Sequence, residues 1–467
     1  MRQSKLLTGV VVILLLIIGL ITITSYALLN KDSKQFYDDG FYVGVTYCGG
    51  SVQEAKELID KVKDYTNLFT LQAGALQNTA IIEEIGDYAI ASKLNYAVYR
   101  SATNYDPTVN FNEWVNTAKE RWGEHFIGVY FSDEPGGRML DQNVYFRSAF
   151  TGAVAVDEII LTGKNTDGTI QWNANNTAFT YHPDGRITTS AFSEFVYYPD
   201  GTFVLSNRGN FYTAENITEY IPQLSYEKLL KQNPLQNHDD AAKAFVNSTK
   251  NMIFGVMNKT QLNEESILVF TSDYGLYWWD YQSGYDFILA QLGWNHSVTQ
   301  EIGLVRGAAN LQGKSWGTMI TWKYNQMPYL PDGEEMFEQM KASYEAGAEY
   351  VIIFNYSENS TDPNILREEH FQALERFWSD VVQNPEVTHG GIKAEAALVL
   401  PQNYGWGMRN PQDNIWGIWP ADSASQKIWN QIENKIDQYG LKLDIVFEDP
   451  NYPATEKYDY IYYWNQR

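Results

Sequence analysis

Two adjacent carboxylic acids stand out in the sequence because an apolar run ends at them. The segment YFSDEPGG places Asp133 and Glu134 directly after a predicted strand, and Pro135 followed by two glycines forces the chain to turn. Adjacent carboxylates repel each other, which raises the pKa of at least one, and an acid that stays protonated near neutral pH can donate to a leaving group. Asp and Glu before Pro-Gly are also ordinary turn residues. These residues alone therefore do not decide between a catalytic acid pair and a turn.

Several other predicted strands also contain or end in ionisable, amide or aromatic side chains. Asp273 ends the fifth predicted strand and Glu301 lies in the sixth; both are candidate catalytic acids, although structural charges would look the same. Acids can cleave a glycosidic bond, rings stack on a pyranose face, and amides or arginine bind hydroxyls. The candidate binding residues at strand ends are Tyr47, Arg100, Tyr274, Trp322, Lys323, Asn355 and Glu358.

These residues meet only if their strands run parallel and end at one edge of a sheet. Between Phe41 and Trp378, short β-rich runs alternate with stretches at helical spacing. Eight such units predict a closed (β/α)8 (TIM) barrel of α/β class, with an open doubly wound sheet as the alternative. The predicted strands cover 42–47, 67–74, 95–102, 126–137, 267–275, 299–309, 317–324 and 349–358. The predicted helices cover 51–65, 79–93, 111–122, 239–257, 283–292, 333–346 and 367–383.

Residues 141–236 interrupt this alternation after the fourth predicted strand. Asp-Gly pairs recur there at 167–168, 184–185 and 200–201, the last two inside the phrases YHPDGRI and VYYPDGTF. Proline presets the first turn dihedral and glycine accepts positive φ, so each phrase predicts a hairpin turn between short strands. The segment is therefore predicted to be an antiparallel β-meander inserted into a barrel of residues 36–388.

A second strand-helix-strand pattern predicts a small C-terminal α/β domain at 389–467. Its strands are predicted at 393–401, 441–449 and 458–465, with a helix at 423–439. The loop 403–422 holds tryptophans and a tyrosine among glycines and asparagines. It could reach over the barrel mouth or form the domain interface, so Trp406 and Trp416 are further candidate binding residues.

Residues 1–35 are predicted to be a transmembrane anchor and linker. The segment from Leu6 to Leu29 is uncharged and long enough to cross a hydrocarbon core of about 30 Å as a helix. Arg2 and Lys5 precede it, so the positive-inside rule keeps the N-terminus cytoplasmic and exports the rest. A signal peptide cleaved near Ala27 is the alternative. Seven Asn-x-Ser/Thr sequons on the exported side indicate a glycosylated surface.

The composition argues against several classes of partner. A net charge of -23 at pH 7 is unsuited to nucleic acid, whose phosphates require clustered Lys and Arg. The six histidines lack metal-ligand spacing, and no glycine-rich nucleotide motif follows a strand, so no metal and no cofactor are predicted. Cys48 is the only cysteine and lacks an evident basic partner, which favours a buried filler over a nucleophile. The aromatic content of 15% fits carbohydrate contact, though rings also fill cores.

The barrel pattern, the segment GVYFSDEPGG and the small C-terminal α/β module resemble glycoside-hydrolase-like (β/α)8 proteins. An Asp-Glu pair after the fourth strand is similar to that of retaining hexosaminidases that use substrate-assisted catalysis. The resemblance implies that Glu134 is the acid/base and that Asp133 orients the 2-acetamido group of the substrate. The commonest retaining pattern, Asn-Glu on strand four with a glutamate on strand seven, is not met, because Trp322-Lys323 stands at the second place.

The sequence thus predicts a membrane-anchored, extracytoplasmic glycoside hydrolase that acts on surface or environmental glycans. A non-catalytic glycan-binding or structural cell-surface protein on the same barrel is the alternative. The sugar, the linkage and the oligomeric state stay open.

Overall fold

The computed structural model of the chain describes residues 40–72, 78–100, 111–142, 237–257, 267–357 and 364–466, together with six strands between residues 159 and 206. The predicted anchor at 1–35 and the candidate residue Glu358 lie outside the described residues. Among the helices of the described part, none is long and apolar enough to cross a bilayer.

Strands and helices alternate along most of the described chain. In chain order the strands are β1 (Tyr42–Tyr47), β2 (Leu68–Leu71), β3 (Asn95–Arg100), β4 (Phe126–Phe131), β5 (Ile159–Lys164), β6 (Ile170–Ala174), β7 (Thr177–Tyr181), β8 (Ile187–Thr189), β9 (Glu194–Tyr197), β10 (Phe203–Ser206), β11 (Leu268–Asp273), β12 (Phe287–Leu292), β13 (Ser315–Ile320), β14 (Tyr350–Ile353), β15 (Ala396–Leu400), β16 (Leu443–Phe447) and β17 (Tyr460–Tyr463). The helices are α1 (Val52–Val62), α2 (Thr79–Ala91), α3 (Phe111–Trp122), α4 (Pro135–Gln142), α5 (His238–Met257), α6 (Tyr277–Gln282), α7 (Val298–Gln312), α8 (Gly333–Glu345), α9 (Glu368–Phe377) and α10 (Ser423–Tyr439).

Eight parallel strands close into a barrel in the order β1, β2, β3, β4, β11, β12, β13 and β14. The last strand returns to the first, with Tyr350 opposite Tyr42 in the register. The predicted (β/α)8 barrel is confirmed. Every residue of β4 and of β12 is buried, as expected for parallel strands covered on both faces.

The prediction for the sixth strand was wrong, and so was that for the helix before it. Residues 299–309, predicted as a strand, lie in α7, and residues 283–292, predicted as a helix, contain β12. Because β12 is buried along its whole length, its sequence lacks the alternation that marks a half-exposed strand. Because α7 is buried over most of its length, it lacks the polar face that marks a surface helix.

Aromatic rings stack against one another inside the barrel. The ring centroids of Phe287 and Tyr350 lie 4.0 Å apart, those of Phe270 and Phe287 4.3 Å, and those of Tyr130 and Phe270 5.2 Å. Stacked pairs of this kind contribute about 0.5–1.5 kcal/mol each beyond the burial of their area. Each ring belongs to a different strand, so the stack couples the strands of the barrel from within.

Strands β5 to β10 form a second, six-stranded antiparallel sheet in which each strand pairs with the next. The Asp-Gly pairs at 167–168, 184–185 and 200–201 lie outside the described residues, between β5 and β6, β7 and β8, and β9 and β10. The sheet is inserted between α4 and α5, in the connection that joins β4 to β11. The barrel pairing of these two strands is kept despite the insertion.

The C-terminal part is a three-stranded parallel sheet in the order β16, β15, β17, which packs with α7 of the barrel. Two glycines of α7 allow the close approach. A Cβ atom on Gly303 would lie 2.8 Å from the carbonyl oxygen of Leu443, and one on Gly307 would lie 2.8 Å from a methyl group of Val446. The helix backbone therefore lies directly on β16.

A buried ion pair joins the same two elements. Arg306 of α7 donates to Asp444 Oδ1 at 2.7 Å, and both side chains are almost fully buried. Arg306 also donates to the carbonyl oxygens of Leu441 and Leu443 at 2.6 and 3.2 Å, and Tyr458 donates to Asp444 Oδ2 at 2.9 Å. The charges are thus hydrogen-bonded on several sides, as buried charges must be.

We expect Arg306→Met to lower the free energy of unfolding by about 3–5 kcal/mol, because the variant leaves Asp444 buried without its cation. Urea denaturation measures the change. The control Arg121→Met removes an exposed ion pair with Asp87 and should cost far less. Equal losses in the two variants would show that the buried pair contributes nothing special to the interface.

Candidate functional site

The chain turns sharply at the carboxyl end of β4. Ser132 and Glu134 both have a φ of +55°, a left-handed conformation that costs non-glycine residues on the order of 1 kcal/mol or more. Backbone hydrogen bonds hold the turn on both sides, from Ser132 N to Arg100 O at 3.1 Å and from Glu134 N to Ser272 O at 3.0 Å. The neighbouring strands β3 and β11 therefore fix the position of the Asp133–Glu134 pair.

Asp133 is a half-buried carboxylate held through one of its two oxygens. Its Oδ1 accepts hydrogen bonds from the hydroxyls of Tyr130 and Ser272, the latter at 2.9 Å. Burial raises the pKa of Asp133, and these two hydrogen bonds oppose the rise by stabilising the charged form. No described residue donates a hydrogen bond to Oδ2, so this oxygen stays available as an acceptor.

Glu134 is also half-buried, and its carboxyl group lies beside that of Asp133. Its Oε1 accepts a hydrogen bond from Gln291 Nε2 at 2.7 Å, and the same amide nitrogen donates to Ser272 Oγ at 2.9 Å. Burial, followed by the charge of Asp133, raises the pKa of Glu134 to about 8. Glu134 is therefore protonated at neutral pH.

Three residues of this network were not predicted from the sequence: Tyr130, Ser272 and Gln291. Gln291 is next to last in β12, the strand that the sequence pattern assigned to a helix, so its place at the strand end was hidden. Ser272 stands beside the predicted Asp273 but points to the other side of the strand. These three residues could have been identified as polar side chains near the carboxyl ends of mainly apolar strands.

Asp273 was predicted as a catalytic acid, and the structure gives it a different role. It is fully buried, and it accepts the backbone N–H groups of Gly136, Gly137 and Tyr274 at 2.5, 2.8 and 2.7 Å. Both carboxylate oxygens are occupied by backbone donors at the start of α4. Asp273 therefore anchors the helix that follows Glu134.

Glu301 was predicted as a catalytic acid on the sixth strand, but it lies in the first turn of α7. Its carboxyl group is buried and accepts a hydrogen bond from the Tyr277 hydroxyl at 2.5 Å. Burial raises its pKa to about 8. Its placement on a helix behind the barrel wall contradicts the prediction.

Three predicted binding residues are engaged in structural contacts. The Tyr47 hydroxyl is buried against the start of α1, where it donates to Ser51 O at 2.7 Å. Asn355 is fully buried and accepts the N–H of Ile365 at 2.8 Å, which also removes its sequon from the accessible surface. Lys323 forms an ion pair with Glu335 at 2.5 Å. These contacts bury Tyr47 and Asn355 and pair Lys323 with a carboxylate.

Arg100 and Tyr274 lie on either side of the turn after β4. Arg100 is buried at the end of β3, where its carbonyl supports Ser132. The ring of Tyr274 covers Gly137, at which a Cβ atom would lie 2.1 Å from the ring. The Tyr274 hydroxyl donates to Asp141 at 2.7 Å. Burial, followed by this hydrogen bond and the charge of Glu134, raises the pKa of Tyr274. Tyr274 is therefore a neighbour of the acid pair.

Aromatic rings follow the sixth, seventh and eighth barrel strands, and we call Trp294, Trp322 and Tyr356 the aromatic cluster. Trp294 and Tyr356 are exposed, and Trp322 is partly buried. Trp322 stacks on Tyr356 with the ring planes 5° apart and the centroids 5.8 Å apart, and its indole N–H donates to Tyr356 O. Trp294 meets Trp322 edge-on at 6.0 Å and is 42% exposed. The sequence analysis chose Trp322 alone: Trp294 follows β12, which was predicted as a helix, and Tyr356 lies within the predicted eighth strand but was not selected.

The loop 403–422 forms an interface rather than a wall of rings at the mouth. Trp406 and Trp416 are fully buried, so neither can bind a ligand as predicted. Trp416 packs on Trp279 at 4.6 Å. One residue of the loop extends further, since Arg409 donates to Asp141 at 2.7 Å, the residue that also accepts from Tyr274.

The alternative chemistries gain no support from the described residues. Burial raises the pKa of the Cys48 thiol to about 12, which leaves it protonated and a poor nucleophile at neutral pH. In the described part of the chain, no group of three or more His, Cys, Asp or Glu is arranged to hold a metal ion.

No protein-family model and no curated protein sequence matches this chain. Among solved structures, alpha-L-fucosidase isoenzyme 2 from Paenibacillus thiaminolyticus is 11% identical with a TM-score of 0.41, over 88% of this chain and 58% of that chain. The match thus spans little more than half the length of the fucosidase.

Two further solved structures show likenesses of the same order. PbGH5A, a glycoside hydrolase family 5 enzyme from Prevotella bryantii B14 in complex with a xyloglucan tetradecasaccharide, is 7% identical with a TM-score of 0.34, over 73% of this chain and 96% of that chain. Pyruvate kinase from Pyrobaculum aerophilum is 11% identical with a TM-score of 0.29, over 91% of each chain. At these TM-scores the likenesses carry no argument about activity, which rests on the site itself.

Proposed function

We propose that this protein is a glycoside hydrolase in which Glu134 is the proton donor. The observation that carries the proposal is the state of this carboxyl group: it is half-buried at the end of a barrel strand, and its pKa is raised to about 8. Gln291 holds its Oε1, whereas its Oε2 forms no hydrogen bond with a described residue. A fixed, protonated acid of this kind can donate to a glycosidic oxygen.

Asp133 supports a route assisted by a 2-acetamido group of the substrate. Its Oδ1 is saturated by two hydroxyls, and its Oδ2 can accept the N–H of the acetamido group. Glu134 would protonate the leaving oxygen while the bond from C1 to that oxygen breaks and the acetamido carbonyl oxygen bonds to C1. Glu134, now a carboxylate, would then take a proton from the water that attacks C1 and releases the acetamido oxygen.

The aromatic cluster supports a carbohydrate as the substrate. It follows three consecutive strands at the end of the barrel that also carries Glu134, and flat exposed rings stack on pyranose faces while their polar edges stay hydrated. We propose surface or environmental glycans as substrates and an exported, membrane-anchored location, which rests on the apolar segment 6–29.

We expect Glu134→Gln to lower kcat by about 10²–10⁴-fold, because the amide cannot donate the proton that the leaving oxygen needs. The variant should lose less activity on aryl glycosides with acidic phenol leaving groups than on natural glycans, since such leaving groups depart without protonation. Glu301→Gln, which removes another buried carboxyl of raised pKa, is the control and should keep its activity. Unchanged turnover of every cleaved glycan by Glu134→Gln would refute the assignment.

The pH profile follows from the direction of the pKa shift of Glu134. The protonated form is the active one, so kcat should be constant below the pKa and fall as the pH rises through about 8. Initial rates on a natural glycan from about three pH units below to about two pH units above the pKa of Glu134 give the profile. A basic limb that persists unchanged in the residual activity of Glu134→Gln would assign the titration to another group.

We expect Trp294→Ala to raise KM about 3- to 10-fold with little change in kcat, because stacking of about 0.5–1.5 kcal/mol is lost in ground state and transition state alike. Tyr460→Ala, which removes a 53% exposed ring from the C-terminal sheet, is the control. A KM equal to that of the wild type in Trp294→Ala would exclude the cluster as a sugar-binding surface.

A further inference from the structure

Beneath the candidate site, Asp273 fixes the first residues of α4. Its three backbone donors, Gly136, Gly137 and Tyr274, occupy both of its oxygens. A Cβ atom on Gly136 would lie 2.3 Å from the carbonyl oxygen of Gly275 and 3.1 Å from Asp273 Oδ2, so a side chain fits here only if its neighbours move. Glu134 directly precedes this segment, so the position of Glu134 depends on Asp273.

A second fully buried carboxyl group faces Asp273. Asp280 lies in α6, and its carboxyl is within hydrogen-bonding reach of that of Asp273. Neither of its oxygens accepts a hydrogen bond from a donor among the described residues. In the described part of the chain, no lysine or arginine forms an ion pair with either of the two. A buried carboxylate without donor or cation is a costly arrangement.

The other titratable groups around the pair do not relieve this cost. Tyr277 and Tyr281 lie on the same helix as Asp280, Glu301 faces the pair from α7, and Glu134 faces it from the turn after β4. These four side chains are two tyrosines and two glutamates, and none of them can carry a positive charge. Burial raises the pKa of Asp273 to about 7 and that of Asp280 well above its ordinary value. Two ionised carboxylates within hydrogen-bonding reach of each other would repel strongly in a medium of low dielectric constant.

The C-terminal sheet packs on the helix that carries Asp280. Its helix neighbours Trp278 and Trp279 pack on Phe447 of β16, with ring centroids 5.9 and 4.5 Å away. Water is thereby kept from the carboxyl pair.

We propose that Asp280 carries a proton and donates a hydrogen bond to Asp273, so that the two residues form an acid–carboxylate clamp that positions the N-terminus of α4 and, through it, Glu134. Asp280 is a positioning residue, since it acts through Asp273 and touches no substrate. The clamp itself is independent of the proposed hydrolase activity; only its effect on Glu134 rests on that function.

The sign of the pH dependence follows from the bound proton. Unfolded carboxyl groups of Asp ionise near pH about 4, whereas the folded pair keeps its proton to higher pH, so folding takes up a proton in this window. Stability should therefore fall as the pH rises from about 4 towards the folded pKa values, and stay level below that window.

The test compares Asp280→Asn with Asp280→Leu. The asparagine amide can donate to Asp273 without titrating, so Asp280→Asn should keep or raise the melting temperature at pH 7 and should show a weaker fall in stability between pH 5 and pH 8, about one to four units above the ordinary value. Leucine fills the volume but donates nothing, so its melting temperature should fall by more than about 5 °C. Asp60→Asn, the same change at an exposed position of α1, is the control and should follow the wild type.

Two further readouts separate the clamp from a merely structural carboxyl. The infrared difference spectrum of wild type minus Asp280→Asn at pH 7 should show a protonated carboxyl band. Where a glycan substrate is found, kcat at pH 7 should survive in Asp280→Asn and drop at least about 10-fold in Asp280→Leu. Equal destabilisation by asparagine and leucine, or a lost carboxylate band in place of a carboxyl band, would overturn the clamp. Absence of any hydrolysis would refute the proposed function and leave the stability and infrared tests decisive.

Discussion

The pairing of β4 with β11 is the constraint on which the candidate site depends. The insertion between these strands places Ser272 139 residues after Asp133 in the chain, yet parallel pairing brings their side chains to a hydrogen bond of 2.9 Å. The same pairing places Asp273 under the amides of α4. The strained turn at Glu134 is tolerated because both neighbouring strands bind its backbone. Any segment that kept the strand ends in place could be inserted here, which is the property that makes barrel loops tolerant of insertions.

Burial, rather than an added cation, sets the charge state of this end of the barrel. Glu134 takes a proton because its surroundings are apolar and Asp133 is adjacent, whereas Asp133 gains two hydroxyl donors that favour its ionised form. Two neighbouring carboxyls thus differ in their hydrogen-bond partners, and the proposed mechanism uses this difference to obtain an acid and an acceptor from one site. The overall charge of -23 is a property of the whole surface and does not explain this local difference.

Sequence patterns predicted seven of the eight barrel strands, and they predicted the helices whose buried face recurs at helical spacing. Helix α1 shows why: its buried residues recur at helical spacing and Ser51 caps its first turn. The pattern failed at α7, which is buried nearly all round and carries no polar face, so it was taken for the sixth strand and the true strand before it, β12, was taken for a helix. The failure hid Gln291 and misplaced Glu301, so one partner of the acid was missed and one false candidate was added. Rings posed a similar difficulty, since Trp416 in the core and Trp294 at the surface look alike in a sequence.

The acid pair also depends on a part of the chain that contributes no residue to it. Trp278 and Trp279 of α6 pack on Phe447, beside the fully buried Asp280. Arg409 reaches the other side of the turn through Asp141, the acceptor of the Tyr274 hydroxyl. The C-terminal part of the chain is thus linked to α4 in two ways. Phe447 packs on the helix that carries Asp280, and Arg409 forms an ion pair with Asp141 of α4. A barrel without this sheet would expose both contacts to solvent, where the ion pair weakens and the carboxyl pair ionises.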